Sequence, residues 1–301
     1  MHILITGGTG LIGSALYKKL RNQHQITVLT RNAERAYRTL GHDIQALTSL
    51  EPLRHLDEFD AVINLAGEPI ADKRWSDQQK KRIEQSRFET TEQLVTRFKQ
   101  STEPPKVFIS GSAIGYYGRQ GQTPVTENDY QAHDEFTHRL CAHWEQLAEQ
   151  AASEHTRVCT LRTGIVLAAN GGALSKMALP FKLGVGGPIG DGQQMMSWIH
   201  LDDMVDLIIF LLHHDNASGA FNATAPEPVS NQVFSQTLAK VLKRPCLFRV
   251  PAPVMRILLG EMSDMILTGQ AVLPEKLIQS GFQFRHPTLM GALQQCFHPQ
   301  A

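Results

Sequence analysis

The sequence predicts an α/β fold: a doubly wound parallel sheet with a smaller, mainly helical C-terminal lobe. Three observations predict it. First, an apolar strand, His2-Ile3-Leu4-Ile5-Thr6, runs directly into a glycine-rich turn, Gly7-Gly8-Thr9-Gly10-Leu11-Ile12-Gly13. Second, short apolar runs alternate with helix-period segments through the first half, the pattern that lays parallel strands between helices. Third, glycines cluster beyond residue 170, and the apolar segments after residue 230 are helical in period.

The opening turn carries the most chemistry. Glycines at 7, 10 and 13 let the backbone turn tightly and approach an anion, while the next helix sits close to the sheet with its first amides aimed at that anion. Ile12, Leu16 and Leu20 mark one face of this helix, and Ile26-Thr27-Val28-Leu29 follows as a second strand at βαβ distance. In that context the turn reads as a Rossmann-type dinucleotide site. The second strand ends in Thr30-Arg31, where an NAD site usually places Asp or Glu on the ribose 2′-hydroxyl. A hydroxyl and a guanidinium instead suit a 2′-phosphate, so NADP(H) is the expected cofactor. Glu34 lies nearby and offers a carboxylate to a ribose as the alternative.

The third clear strand, Asp60 to Gly67, is buried and ends in small residues. A helix is expected from about Ser76 to Lys99, ended by Pro104-Pro105. Lys106 to Ser110 forms the next strand and runs into Gly111-Ser112. After a polar loop to about His133, a helix spans roughly Asp134 to Ser153, with Phe136, Leu140, Trp144, Leu147 and Ala151 at helical spacing. Arg157 to Leu167 reads as one strand. Gly171 to Gly192 reads as a mobile cover or substrate loop. His200 to Leu212 gives a strand end and a helix, and 219–224 a short strand. Gln232–Leu242, Pro253–Leu259 and Leu273–Ser280 make the helical tail. The expected division is a cofactor domain over 1–168, completed by about 195–225, and a lobe over 169–194 and 226–301.

The bulk composition narrows the partners. Lys plus Arg and Asp plus Glu each number 29, so charge gives no case for nucleic acid or a membrane surface. The longest apolar run, Leu207 to Leu212, is far too short to span a bilayer. Four cysteines lie scattered without a CxxC pair and read as reduced thiols. A core strand at residue 2 is expected to leave no room for a secretory leader. A soluble cytoplasmic protein with a small-molecule substrate is the expectation. Nothing in the chain specifies an oligomeric state. His133, His138 and His143 recur every five residues, a spacing that drifts around a helix, and with no HExxH or HxH pattern no metal is expected. No GxSxG elbow supports nucleophilic catalysis.

Several motifs in order give the chain a resemblance. Thr6–Gly13, Asn64-Leu65-Ala66-Gly67, Ser110-Gly111-Ser112 and Trp198-Ile199-His200-Leu201-Asp202-Asp203 are similar to those of the extended short-chain dehydrogenase/reductases, which include nucleotide-sugar epimerases and dehydratases. More narrowly, Ser86–Thr91, Gly111–Gly118, Leu161–Leu167 and Gly281–Pro287 resemble the atypical subgroup labelled epimerase family protein, which has an NADP-binding human member. The resemblance implies that Gly7, Thr9, Gly10, Leu11 and Ile12 cradle the pyrophosphate, with Gly13 seating the helix. It implies that Thr30 and Arg31 face the phosphorylated ribose. Leu65, Ala66 and Gly67 would pass beside the dinucleotide. Arg87 would approach it from the long helix, and Ser110 and Ser112 would lie near the nicotinamide.

The chemistry departs from that pattern. Active members of the wider family use Tyr-x-x-x-Lys, the lysine lowering the tyrosine pKa. Here that place holds Phe136-Thr137-His138-Arg139-Leu140, and the Phe and Leu fall on the apolar stripe. Tyr116, Tyr117 and Tyr130 are followed four residues on by Gln120, Gly121 and Asp134. A second departure is Met196, where nucleotide-sugar enzymes often carry a diphosphate-binding arginine; a thioether cannot neutralise a diphosphate. The remaining catalytic candidates are Ser112, to orient a carbonyl or hydroxyl, and Tyr116 or Tyr117 as a displaced acid. Lys176 and Lys182 in the glycine-rich segment are candidates to meet an anionic substrate. Two readings follow: an atypical NADP(H)-dependent oxidoreductase or epimerase-like enzyme on a small carbonyl or hydroxyl compound, or an NADP(H)-binding sensor or interaction protein without catalysis.

Overall fold

The computed structural model describes residues 1–299. In chain order the strands are β1 (His2–Thr6), β2 (Gln25–Leu29), β3 (Gln45–Leu47), β4 (Ala61–Asn64), β5 (Val107–Ala113), β6 (Pro124–Val125), β7 (Arg157–Thr163), β8 (Ile165–Leu167), β9 (Met195–Met196), β10 (Trp198–His200), β11 (Gly219–Ala223), β12 (Val229–Ser230) and β13 (Ala271–Val272). The helices are α1 (Leu11–Leu20), α2 (Ala33–Leu40), α3 (Asp77–Gln100), α4 (Phe136–Glu149), α5 (Gly172–Lys182), α6 (Leu201–His213), α7 (Asn231–Leu242), α8 (Ala252–Leu259), α9 (Ser263–Leu267), α10 (Glu275–Gln279) and α11 (Leu289–Phe297).

Seven strands form one parallel sheet in the order β11-β7-β5-β4-β1-β2-β3. The chain winds one way from β1 to β3 and the other way from β4 onward. The switch point therefore falls between β1 and β4, where Thr6 pairs with Asn64; ligands of such sheets bind beyond the strand ends at this crevice. The central strands are apolar on both faces because helices cover both. Ile3, Ile5 and Ile63 pack with Leu16 of α1 and Leu207 of α6. Leu4, Val62 and Phe108 pack on the other face with Leu94 and Phe98 of α3.

Two expected elements differ. The strand expected over Arg157–Leu167 breaks at Gly164, where a Cβ would lie 2.6 Å from the Ser197 carbonyl oxygen. Beyond it β8 leaves the sheet and pairs with β10. The glycine-rich segment is not simply a loop, since α5 occupies its first half. A second core joins Leu167, Leu174 and Phe181 to Trp198, Phe234, Leu238 and Leu293. The tail is divided: Leu277 and Phe282 are buried in the first core against the β11 side of the sheet. The cores therefore do not part at the expected boundary near residue 226. Among the described residues no helix is long and apolar enough to cross a membrane.

Candidate functional site: a glycine cradle and the end of the fifth strand

The glycine turn is shaped by contacts that only glycine allows. Gly7 is left-handed at φ +70°, and a Cβ there would lie 2.6 Å from the Leu65 carbonyl. A Cβ on Gly13 would lie 2.4 Å from the Gly7 carbonyl oxygen. The Gly10 amide donates to Gly7 O at 2.9 Å, closing the turn. Gly10 caps α1 without a side-chain acceptor, so no side chain takes up the amides of the first helical turn. Backbone donors at a helix start, reached across glycines, make a cradle for a pyrophosphate. These residues fit a dinucleotide.

A buried polar network fixes the facing wall. Thr6 Oγ1 donates to Asn64 Oδ1 at 2.6 Å and accepts the Ala66 amide at 3.1 Å. Asn64 Nδ2 donates to Thr91 Oγ1 at 2.9 Å and to Ser110 Oγ at 3.4 Å, and Trp144 Nε1 donates to Thr91 at 2.9 Å. The ends of β1, β4 and β5 are thereby tied to α3 and α4, and Leu65, Ala66 and Gly67 leave along a set path. Ser110, expected beside the nicotinamide, is fully buried within this network. It holds the strand end in place and presents no surface to a ligand.

Arg87 of α3 points to the same wall. Its Nη1 donates to the Glu68 and Ile83 carbonyls, both at 3.0 Å, and the guanidinium lies 5.2 Å from the Trp144 ring centroid. A Cβ on Gly67 would sit 3.0 Å from its Cζ. Among the described residues no carboxylate forms an ion pair with it, and burial lowers its pKa. The Glu68 carboxylate opposes that lowering only in part, and the charge stays without a direct ion pair beside Gly67. At the other end Thr30 Oγ1 donates to the Asn32 carbonyl at 3.2 Å, and Asn32 Oδ1 caps α2 by accepting the Arg35 amide at 2.9 Å. Arg31 is exposed beside this cap, with no ion pair among the described residues. The start of α5 lies over the turn: Cβ atoms on Gly171 and Gly172 would meet Leu11 at 3.1 and 2.9 Å. Lys176 further along α5 pairs with Asp72, so it is not a free cation for a substrate. Lys182 lies over the Phe297 ring at 5.5 Å.

Ser112 ends β5 in a second network. Its hydroxyl donates to Glu145 Oε1 at 2.6 Å. Arg162 of β7 clamps that carboxylate from Nε and Nη2, both at 2.9 Å, the bidentate geometry that secures an ionised pair. Arg162 Nη1 donates to Tyr117 Oη at 3.0 Å, and Tyr117 donates to Asn222 Oδ1 at 2.7 Å. Tyr117 is wholly buried and its hydroxyl is fully engaged, so it cannot reach a substrate and is removed as the displaced acid. Tyr116 stays half-exposed. Its ring lies 3.5 Å from Arg162 Cζ, and its hydroxyl pairs with Tyr130 at 3.0 Å. Burial first, then the Tyr130 hydrogen bond, push its phenol up to about 12.

The Phe136 and Leu140 side chains pack against Ile83 as the stripe predicts. The face of α4 turned to the β5 end lies one position on. Thr137 sits under Gly115, where a Cβ would be 3.0 Å from the Thr137 Cβ. Cys141 follows beside Ser112 and Ala113, its thiol pushed up to about 12 by burial, and Glu145 comes next. Glu145 and Arg162 were missed in the sequence. The signal for Arg162 is a charge within the buried stretch of a strand, which demands a partner. Met196 is buried in the second core and accepts from Asn231 Nδ2 at 3.3 Å, away from any ligand role.

Outside this site, His200, Asp202 and His286 converge, although no chain spacing suggested it. His200 Nδ1 accepts the Asp202 amide at 3.1 Å, so the histidine itself caps α6. Asp203 is wholly buried and accepts the Arg285 and His286 amides at 2.7 and 3.0 Å.

Comparison with known proteins agrees with this geometry. The NAD dependent epimerase/dehydratase family matches residues 3–224, and a domain of unknown function, DUF1731, matches residues 250–296. An epimerase family protein of Staphylococcus aureus is 38% identical over 292 residues, 97% of each chain. One from Staphylococcus epidermidis is 39% identical over 294 residues, covering 96% of this chain and 97% of its own. Human epimerase family protein SDR39U1, solved with NADPH, superposes with a TM-score of 0.90 at 32% identity, covering 98% and 99% of the two chains. A nucleoside-diphosphate sugar epimerase from Corynebacterium glutamicum matches at TM-score 0.77 and 28% identity, over 98% of this chain and 58% of that one. With its glycine cradle at the switch point and these relatives along its whole length, the chain belongs to the NAD dependent epimerase/dehydratase family, within its atypical short-chain dehydrogenase/reductase branch.

Proposed function

We propose that this protein is an NADP(H)-dependent oxidoreductase or epimerase-like enzyme acting on a small substrate with a hydroxyl or carbonyl group. The observation that carries the reading is the cradle at Gly7, Gly10 and Gly13, with Arg87 against Gly67 on the facing wall and an exposed Arg31 just past the end of β2. The human relative solved with NADPH supports the phosphorylated cofactor. Gly7, Thr9, Gly10, Leu11, Ile12 and Gly13 would hold the pyrophosphate. Thr30 and Arg31 would hold the ribose phosphate. Leu65, Ala66, Gly67 and Arg87 would line the passage toward the β5 end. The bound nicotinamide supplies hydride transfer.

The proton side belongs to Ser112 and Tyr116. Glu145 faces the Arg162 guanidinium with both oxygens and accepts the one hydroxyl proton of Ser112, which is thereby spent on it. Ser112 then offers a lone pair to the site, which accepts from a substrate hydroxyl and does not donate to a ketone. Tyr116, with its raised pKa, remains protonated at neutral pH and is the available donor. Fluorescence titration with NADPH and NADH tests the cofactor assignment. Arg31→Ala is expected to weaken NADPH by roughly 10- to 150-fold and leave NADH unchanged. Tighter NADH binding by the native protein rejects it. Hydride transfer assayed with alcohols plus NADP⁺ and carbonyls plus NADPH tests catalysis, and turnover unchanged in both Tyr116→Phe and Glu145→Gln removes their roles.

One observation favours the second reading, a cofactor-binding sensor. Phe136 and Leu140 stand in the place of the catalytic Tyr and Lys, and both are committed to packing. NADPH-dependent changes in association with no turnover would select it.

A further inference from the structure

We propose that His200, Asp202 and His286 form a binding site for one divalent transition-metal ion of the zinc type, separate from the dinucleotide cradle. Asp202 Oδ2 lies 3.6 Å from His200 Nδ1 and 3.6 Å from His286 Nε2, and all three ligand atoms fall within 4.8 Å of one another. Ligands held at about 2.1 Å in a tetrahedral zinc site are roughly 3.4 Å apart, so small side-chain rotations close the set.

The supports are fixed. His200 ends β10, in register with Leu167 of β8. Asp202 stands in the first turn of α6. His286 is held through its own amide and that of Arg285, both given to the buried Asp203 carboxylate. The Asp203 carboxylate thereby fixes the backbone that carries the His286 ring. The two imidazole rings lie with centroids 4.1 Å apart, His200 buried and His286 partly covered, while Asp202 is half open to water. The open side provides an entry path and room for a water ligand. Two imidazoles and one carboxylate suit Zn²⁺, Co²⁺ or Ni²⁺; Ca²⁺ and Mg²⁺ favour oxygen alone. The competing state is the Asp202 amide bond to His200 Nδ1, a single hydrogen bond that a metal displaces. Occupied, the site ties the segment around residue 286 to the β10–α6 junction. The inference does not rest on the NADP(H) reading.

The test uses the full-length protein, stripped with a chelator. It is titrated with zinc chloride by calorimetry and with cobalt chloride by visible absorption. One equivalent is expected to bind saturably, raise the unfolding midpoint and give a cobalt ligand-field band. His286→Ala, and separately His286→Gln, is expected to weaken zinc by more than about tenfold, the low end of even an outer-ligand loss, with near-UV circular dichroism unchanged. Absence of saturable zinc binding in the native protein, or native affinity in a folded His286 variant, overturns the site.

Discussion

Arg87 is held by two carbonyls and the Trp144 ring with no direct ion pair among the described residues, and a charge so placed gains when an anion arrives. Arg87→Met keeps the stem and removes the charge. NADPH affinity is expected to fall by roughly 10- to 150-fold, the loss of about 1.5–3 kcal/mol from charge-assisted hydrogen bonds; an unchanged titration curve refutes the placement. Tyr117 makes a different prediction. Burial, only partly opposed by Arg162, pushes its phenol from 10.0 to about 12. The unfolded chain gives up this proton near its ordinary value, and the folded chain holds it longer. The stabilisation is therefore complete below the unfolded pKa and is lost as pH rises through the folded one, about 3 kcal/mol in total. Urea unfolding at about pH 9 and about pH 11.5 should show a smaller loss in Tyr117→Phe than in the native protein. Residue roles could be proposed from the chain where a type breaks its surroundings, as Arg31 does after an apolar strand. They were not legible where partners come from distant elements. Ser112, Glu145 and Arg162 sit on β5, α4 and β7, and no spacing in the chain announces that three-way contact.

At the scale of elements, α1 docks so closely that its third residue has no room for a side chain. Gly13→Ala would place a methyl 2.4 Å from the Gly7 carbonyl oxygen. The helix must move or the turn must open, at a cost of about 1–3 kcal/mol. Thermal unfolding should show the loss, and NADPH binding should fall with it; a variant as stable as the native protein contradicts the packing. Strands β1, β2, β4 and β5 and helices α3 and α4 were readable because each is long or strongly periodic. Helix α5 was not, because glycines at its start and Pro180 within it disguise the period. Helices α2 and α11 and the three-residue β3 also passed unread, being short and flanked by polar residues. The β7–β8 break was hidden because residues on both sides of Gly164 read as strand, and only the approach of Ser197 shows why the chain must turn there.

For the whole molecule, a cofactor seated at the switch point binds the folded chain alone, so it shifts unfolding by mass action. NADPH at about 100 times its dissociation constant should add about 2.7 kcal/mol and raise the midpoint by roughly 4 °C. NADH at the same concentration should do less, and equal shifts for both would remove the preference for the phosphorylated form. The doubly wound sheet was legible in the alternation of the first half; the way the tail closes on it was not. Leu277 and Phe282 fill the flank beside β11, and the Asp203 carboxylate grips the backbone at 285 and 286. A ribosome therefore cannot release a finished nucleotide-binding half when residue 225 emerges. Its last wall arrives some fifty to sixty residues later, and until then the flank of the nascent sheet beside β11 stays open to solvent.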